Sequence, residues 1–475
     1  MTTIFLPEIL LLGASLLLFL LALVPVSGRS ARRVALCATF AGTVLTGFTL
    51  GQEGTLFYGA FQVDFFSQLV KLLLLAGAFF VLLIARDLKG IREEIRPEYY
   101  LFLLLSVTGL VVLVSAVELM LLFIALELSS FALYVLVPMR DDAGGLRTQM
   151  EAGIKYILFG VLATGVMLFG MSYIFGLTAT THLHVIVPKL HALGPSPAVV
   201  AAVAMVMAGL FFKLAVFPFH FWMPDVYQGA SNETTAFVAS VPKVAGLAVL
   251  CRVLFFAPQW AGDNGLTVLL TVCAIGSMLY GNLAALVQQD LKRMLGFSGI
   301  AHAGYMLLGL VGFGAAGFSV ALYYMAGYML MNLACFLVIC NVSPTGDNLA
   351  VTELSGLHRR APLLALTLLV GMFALAGIPP FVGFMGKFLL LKSAFQQGHT
   401  TLVIIAAINT ALAMYYYLSV VRVSYCTTDD TVTTPIETHW TTRIAGLLLI
   451  GLILLLGILP GQFLHMTSRA FVWMG

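Results

Sequence analysis

Apolar runs of about 20 residues recur from one end of this chain to the other, and few charges interrupt them. A bilayer core of roughly 30 Å asks for about 20 apolar residues in an α-helix, because every backbone N–H and C=O must be satisfied inside the segment. A chain of 475 residues that is 61% hydrophobic and 9% charged is therefore expected to be an all-α polytopic membrane protein. Strand-period alternation is absent, which leaves a β-barrel without support. The first apolar run, Met1 to Val24, has no basic stretch before it, and Arg29, Arg32 and Arg33 come after it. That order fits a retained first span rather than a cleaved signal peptide.

Reading apolar runs against polar, Gly and Pro punctuation predicts about 14 transmembrane helices, near residues 4–25, 33–51, 62–85, 99–115, 117–138, 152–176, 198–219, 235–257, 265–287, 297–315, 318–341, 361–396, 400–422 and 443–464. The run from Tyr99 to Pro138 is too long for one helix and must turn near Ser115. The polar interruptions are short, so the chain reads as a single membrane domain, 1–475. With the N-terminus outside, fifteen basic residues fall in cytoplasmic connections (Lys292 and Arg293 among them) and four, Lys189, Arg252, Lys392 and Arg469, on the other side. Lys and Arg accumulate in cytoplasmic loops, so this bias puts the N-terminus, and with an even span count the C-terminus, on the outer side.

Five of the 24 basic residues find no loop: Lys71, Lys155, Lys213, Lys243 and Lys387. All are lysines, in a sequence with more arginine than lysine. Arginine keeps its proton in proteins, whereas a desolvated lysine can give one up, so the choice suits proton exchange better than fixed charge. A lysine at the bilayer centre costs about 2.5–3.5 kcal/mol on insertion scales and needs compensation. Glu127, mid-span in "LFIALELSSFAL", is the best placed acid; the alternative is a buried ion pair that only fixes helix packing. Lys71 has Asp64 seven residues earlier on roughly the same face, which points to a structural pairing. Lys155 follows Glu151 at i+4, so a salt bridge at the helix start competes with any proton-handling role.

Two spans are broken. "FFKLAVFPFHFW" carries Pro218 five residues after Lys213, and "ALAGIPPFVGFMGKF" carries Pro379 and Pro380 ahead of Lys387. Proline within a membrane helix opens the backbone ladder, and discontinuous helices at membrane depth mark ion pathways in transporters. If the blocks are spans four to eight (99–257) and nine to thirteen (265–422), each break is fourth in its block. An odd number of spans then inverts the second block, giving two inverted five-helix repeats, with three spans (1–98) before them and one (443–464) after. His220 follows the first break and His302 sits in "SGIAHAGYMLLG"; either could relay protons or bond a neighbouring helix. His182, His184 and His191 fall in a short outer loop at a spacing poor for metal binding. The six cysteines form no CxxC and read as small apolar side chains. No phosphate loop, dinucleotide fingerprint or HExxH is present.

The lysine of "FFKLAV", followed by "PFHFW" and "PDVYQGA", together with "EAGIKYILFG", "QQDLKRMLGFSGIAHAGYMLLG" and "LAGIPPFVGFMGKF", resembles the antiporter-like membrane subunits of respiratory complex I, the bacterial proton-pumping NADH:quinone oxidoreductase. "PDVYQGA" is similar to the N-type branch. The resemblance implies that Glu127 and Lys213 form a buried pair and that Lys243 and Lys387 continue the proton path, Lys213 losing its proton when the pair weakens. It implies that no cofactor is bound here: NADH, FMN, iron–sulfur clusters and quinone belong to the rest of the complex. It implies as partners a neighbouring M-type subunit, small K, J and A type subunits and the lipid bilayer of the bacterial inner membrane, with no nucleic acid. The chain departs from the family at "ASNETTAF", where a proline-rich "APxPV" is more usual. Two other readings stay open: a Mrp-type cation/proton antiporter or related membrane-bound hydrogenase subunit, and a purely structural subunit.

Overall fold

The computed structural model describes residues 3–24, 26–141, 147–194, 196–255, 264–343, 345–426 and 435–472. Among them are nineteen α-helices and one β-hairpin. In chain order these are α1 (Leu6–Ala22), α2 (Gly28–Phe48), β1 (Gly54–Leu56), β2 (Phe61–Val63), α3 (Phe65–Ile84), α4 (Arg96–Leu113), α5 (Leu119–Leu136), α6 (Thr148–Thr178), α7 (Leu183–Ala192), α8 (Pro197–Leu214), α9 (Trp222–Gly229) and α10 (Asn232–Phe255). There follow α11 (Asn264–Ala285), α12 (Leu291–Leu308), α13 (Ala315–Val342), α14 (Leu357–Arg360), α15 (Pro362–Ala376), α16 (Val382–Gln396), α17 (Thr400–Cys426), α18 (Trp440–Ile458) and α19 (Pro460–Val472).

Among the described residues, ten helices are long and apolar enough to cross a bilayer, and α1 and α15 are shorter apolar helices. Helices α2 and α12 run 21 and 18 residues but carry charges in their first turns. These lengths do not by themselves fix the expected fourteen spans. The α4–α5 turn does fall at Ser115, as the length of that run requires. The expected end of the eighth span and first repeat at residue 257 lies outside the described residues.

Helix–helix contact in lipid has little hydrophobic drive and depends on close packing at small residues. Accordingly Gly109 of α4 lies against the backbone of Ala125 and Ser129 in α5, and Gly281 of α11 against Phe297 and Ala301 in α12. Helices α10 and α13 are buried along almost their whole length and form the centre, while α6, α17 and α18 keep broad apolar faces outward.

Local capping explains where the expected spans shift. The Asp290 carboxylate accepts from Arg293 N at 2.9 Å and starts α12 at Leu291, six residues before the expected tenth span. Lys292 and Arg293, expected in a loop, are thus helical, and Lys292 is fully buried. Asp64 and Ser67 form a reciprocal capping box at the start of α3, at 2.7 Å and 3.0 Å.

Both breaks have the same anatomy. After α8, Ala215 turns left-handed at φ 56 and Val216 N donates to Phe211 O; after α15, Gly377 does so at φ 89 and Ile378 N donates to Phe373 O. The 6→1 bond with a left-handed residue is the Schellman end of a helix, which glycine reaches without a Cβ penalty. Re-entry is as tight: a Cβ on Gly383 would collide with Ala374 O. The single expected span 361–396 is therefore two helices.

Two buried ion pairs tie the N-terminal helices to this centre. Lys71 Nζ lies 2.6 Å from Glu8 Oε1, both side chains fully buried, and Arg252 Nη2 lies 2.9 Å and 3.0 Å from the two oxygens of Asp64. The partner expected for Lys71, Asp64, is thus taken by Arg252, which was expected in an outer loop; Lys71 turns to α1 instead. Removing one partner of a buried pair leaves an uncompensated charge, at a cost of about 3–5 kcal/mol. Lys71→Met should accordingly lower the melting temperature of the detergent-solubilised protein, and Glu8→Leu combined with Lys71→Met should recover most of the loss. A double variant as unstable as the single one would show that the pair is not what holds α1.

Candidate functional site

The penultimate residue of α8 is Lys213, so its side chain leaves the helix just before the break. Its stem passes Gly246 of α10, where a Cβ would lie 3.4 Å from Lys213 Cγ. Its ammonium donates to Ser130 Oγ at 3.1 Å and Ser129 Oγ at 3.3 Å on α5. The expected contact with Glu127 is not made: among the described residues no carboxylate oxygen lies within 4.0 Å of Lys213 Nζ. Glu127 is half-buried on α5 against Thr164 of α6, and one of its oxygens has no hydrogen-bond partner. The serine hydroxyls, two and three residues on, intercept the ammonium.

Lys243, one turn before Gly246 on the central α10, has its Nζ 3.1 Å from Tyr328 OH of α13 and 3.5 Å from Met223 Sδ of α9. The Tyr328 and Tyr227 rings lie 5.2 Å and 5.9 Å from that ammonium. Electron-rich ring faces attract cations, which compensates part of the lost hydration. Tyr328 then reaches His302 of α12, ring centroids 5.0 Å apart. His302 Nδ1 pairs with Tyr324 OH at 2.6 Å and Nε2 with Tyr417 OH at 3.0 Å. A neutral imidazole accepts at one nitrogen and donates at the other, so both phenols can be satisfied in either tautomer.

The last lysine completes the line. Lys387 Nζ donates to Leu375 O at 2.9 Å and Ala376 O at 3.1 Å, the carbonyls left free where α15 ends. It also sits 5.0 Å from the centre of the Tyr305 ring, itself 6.1 Å from the His302 ring. The orphan carbonyls and the negative end of the helix dipole make this a natural seat for a cation.

Not every expected residue joins the line. Lys155 is half-exposed, not buried, and bonds Glu151 at 2.7 Å and Asp225 at 2.8 Å; Asp225 in turn binds Arg293 Nη1 at 2.7 Å. His220 is buried between the rings of Phe217, Phe221 and Tyr280, and neither ring nitrogen has a hydrogen-bond partner. Pro218, and Pro379 with Pro380, sit in the breaks as expected. Sequence reasoning passed over Ser129, Ser130 and the tyrosines 324, 328 and 417. Nothing in a run of apolar and aromatic letters distinguishes a phenol that bonds a lysine from one that fills space. Among the described residues no group of His, Cys, Asp or Glu side chains is placed to hold a metal ion.

A family model described as NADH:quinone oxidoreductase/Mrp antiporter, transmembrane, matches residues 116–413, which contain all of these groups except Tyr417. The chain belongs to this antiporter family. Curated relatives in the family include an NADH-quinone oxidoreductase subunit N 2 of Opitutus terrae, 53% identical over 457 residues, 96% of this chain and 95% of that one. Another subunit N 2, of Syntrophobacter fumaroxidans, is 45% identical over 89% of this chain and 88% of its own. Among solved structures, a chain of respiratory complex I from Thermus thermophilus with bound aureothin superposes with a TM-score of 0.83 at 33% identity, covering 97% of this chain and 98% of that one. A chain of the Mrp complex from Dietzia sp. reaches 0.86 at 21% identity over 99% and 96%, a likeness of fold alone.

In this antiporter-family chain Lys243, Tyr328, His302, Tyr305 and Lys387 form a file of side chains in ring contacts of 5.0 Å to 6.1 Å. Gly299 of α12 is packed directly against its start: a Cβ there would collide with Met223 Cε and stand 2.7 Å from Tyr328 OH and 2.8 Å from Lys243 Nζ. Gly299→Ala is expected to push Lys243 off Tyr328 and cut proton translocation severalfold with the subunit still present. Gly165→Ala, where the added methyl meets open space, should match the parent. Equal rates in the two variants would rule out the Lys243–Tyr328 contact as a step in the file.

Proposed function

We propose that this chain is the antiporter-like N-type membrane subunit of a bacterial NADH:quinone oxidoreductase and that it moves protons along Glu127, Lys213, Lys243, His302 and Lys387. The observation that carries the reading is the file of ring contacts from Lys243 through Tyr328, His302 and Tyr305 to Lys387, whose two lysines have no carboxylate oxygen within 4.0 Å among the described residues. The kinship with subunits of that name supports the assignment to this complex.

Electron transfer from NADH to quinone takes place in other subunits, with their FMN and iron–sulfur clusters, and this chain answers it with charge movement. The inner membrane of the cell holds the complex, with both termini of this chain on the periplasmic side and M, K, J and A type subunits as neighbours. Residues 99–257 and 265–422 act as two inverted units, each opened at its broken helix. Lys213 resting on Ser129 and Ser130 is the open half of a switch; the closed half is its ion pair with Glu127. When Glu127 releases the lysine, the proton passes toward Lys243, and from there by the Tyr328 and His302 groups to Lys387. Moving one charge against 100 mV costs about 2.3 kcal/mol, so the switch must supply at least that much differential stabilisation.

Lys213→Ala, tested in membrane vesicles, separates the possibilities. The complex is expected to assemble on blue-native gels, with NADH-driven pumping and quinone reduction falling together by about tenfold or more, the scale of a lost proton-transfer group. Normal pumping would remove Lys213 from the path. Loss of the complex would make the subunit structural.

A further inference from the structure

Helix α9 is two turns long and lies between the break after α8 and the kink at Ala230, so tertiary contacts must fix its place. It carries one charged side chain, Asp225 of "PDVYQGA". The Asp225 carboxylate accepts from Lys155 Nζ of α6 at 2.8 Å on one oxygen and from Arg293 Nη1 of α12 at 2.7 Å on the other. Arg293 Nη1 also donates to Gln228 Oε1, three residues further along α9, at 3.0 Å. The acid is thus clamped between cations from two helices that flank α9. Backbone packing follows the same pattern: Gly229 of α9 lies against Ala152 and Thr148 O of α6, and Gly296 of α12 lies against Pro224.

We propose that Asp225 is a positioning residue for Lys243: held between Lys155 and Arg293, it fixes the rotation of α9 and so keeps Met223 and Tyr227 against the Lys243 ammonium. The inference rests on the file from Lys243 to Lys387 being the proton path.

The periodicity of a helix makes the link. At 3.6 residues per turn, the positions two before and two after Asp225 lie about 160° around the axis from it. Those positions are Met223 and Tyr227. Met223 Sδ is 3.5 Å from Lys243 Nζ and the Tyr227 ring centre is 5.9 Å from it, while Tyr328 of α13 supplies the phenol at 3.1 Å. One face of α9 therefore meets the two cations and the opposite face meets Lys243, so a turn that frees Asp225 carries Met223 and Tyr227 off the amine.

Other anchors hold the ends of α9. Trp222 Nε1 donates to Phe212 O at 3.1 Å, and its ring stacks on Tyr156 with centroids 4.6 Å apart. At the far end Arg140 Nη1 and Asn348 Nδ2 each donate to Gln228 O at 2.9 Å, and Lys292 donates to Ala230 O at 2.8 Å. Bonds to carbonyls at the end of an axis resist sliding along it and leave rotation about it to the side chains. Only Ala230 and Ser231 separate α9 from α10, whose first turn buries Glu233, so no free loop absorbs such a rotation. The side chains of Asp225, Lys155 and Arg293 are 28%, 38% and 30% exposed, and ion pairs this open to solvent add little to stability. What the clamp contributes is direction.

The test uses the whole complex in membrane vesicles and reads assembly, NADH-driven pumping per assembled complex and its solvent deuterium isotope effect. Asp225→Asn, which keeps the shape and removes the charge, is expected to assemble, to slow pumping by about tenfold and to raise the isotope effect as proton transfer at Lys243 becomes limiting, within the range that displaced reacting groups produce. Lys155→Gln, which removes one of the two cations, should show both changes at smaller size. Adding Asp225→Asn to Lys243→Ala should slow pumping no further, and Glu151→Gln, which leaves the Asp225 contacts intact, should match the parent. Parent-like rate and isotope effect in Asp225→Asn, with Lys243→Ala slow, would overturn the positioning role and leave the file standing. Fewer complexes with an unchanged rate and isotope effect per complex would make the clamp a structural tie and overturn it as well. Should Asp225→Asn not assemble, parent-like values in Lys155→Gln would do the same. A loss in Glu151→Gln as large as in Asp225→Asn would assign the effect to any charge at this face rather than to Asp225. Parent-like pumping in Lys243→Ala would sink the file itself, and the positioning role with it.

Discussion

An ammonium in an apolar interior must be surrounded by electron-rich atoms, and which atoms a chain chooses decides what the charge can do. Here the choice divides the buried cations into two kinds. Lys71 and Arg252 face carboxylates, Glu8 and Asp64, in contacts of 2.6 Å to 3.0 Å. A full counter-charge in low dielectric holds its cation firmly, so these pairs join helices and do little else. Among the described residues Lys213, Lys243 and Lys387 hydrogen-bond no carboxylate; they face two serine hydroxyls, a phenol with a thioether, and two backbone carbonyls, the last two lysines also resting against tyrosine rings. Dipoles offset part of the desolvation and leave the proton able to depart.

Supplying dipoles at depth is what the breaks accomplish. An unbroken helix spends its carbonyls on its own N–H groups and leaves a side chain only their second lone pair. Ending α15 in a left-handed residue exposes Leu375 O and Ala376 O within the protein, where Lys387 of the re-entering helix collects them. At the first break Phe212 O goes instead to Trp222 Nε1, at 3.1 Å, and Lys213 reaches across to α5. The same backbone device serves two lysines differently, because one precedes its break and the other follows.

Much of this was legible in the letters. Long apolar runs give helices, prolines within those runs give breaks, and lysines without loops give buried cations. The errors share a cause, which is that partners come from elsewhere in the chain. Lys71 was matched to Asp64 by spacing along α3, but Glu8 sits 63 positions away and takes it. Lys292 was counted in a loop because charge was read as surface, whereas the Asp290 cap draws it into α12 and the Ala230 carbonyl completes it. Glu233 escaped notice because a polar stretch after "PDVYQGA" reads as a loop; only the packing of α10 against α12 and α13 makes it an interior acid. Tyr324, Tyr328 and Tyr417 were invisible among so many aromatic residues.

The unequal seats of Lys213 and Lys387 bear on where a driving signal could act. A helix C-terminus favours a cation by about 0.3–1 kcal/mol, and up to about 2 kcal/mol when partly buried. Pushing one charge against 100 mV takes about 2.3 kcal/mol, more than that fixed dipole supplies. Serine hydroxyls reorient, and Glu127, with a free oxygen on the same helix, can bring a whole charge to Lys213. Coulomb attraction at an effective dielectric near 20 is about 4 kcal/mol for unit charges 4 Å apart, which exceeds the electrical work. On the proposed path, a signal that opens or closes the Glu127–Lys213 approach is therefore large enough to move a proton, and one acting at Lys387 through backbone dipoles alone is not.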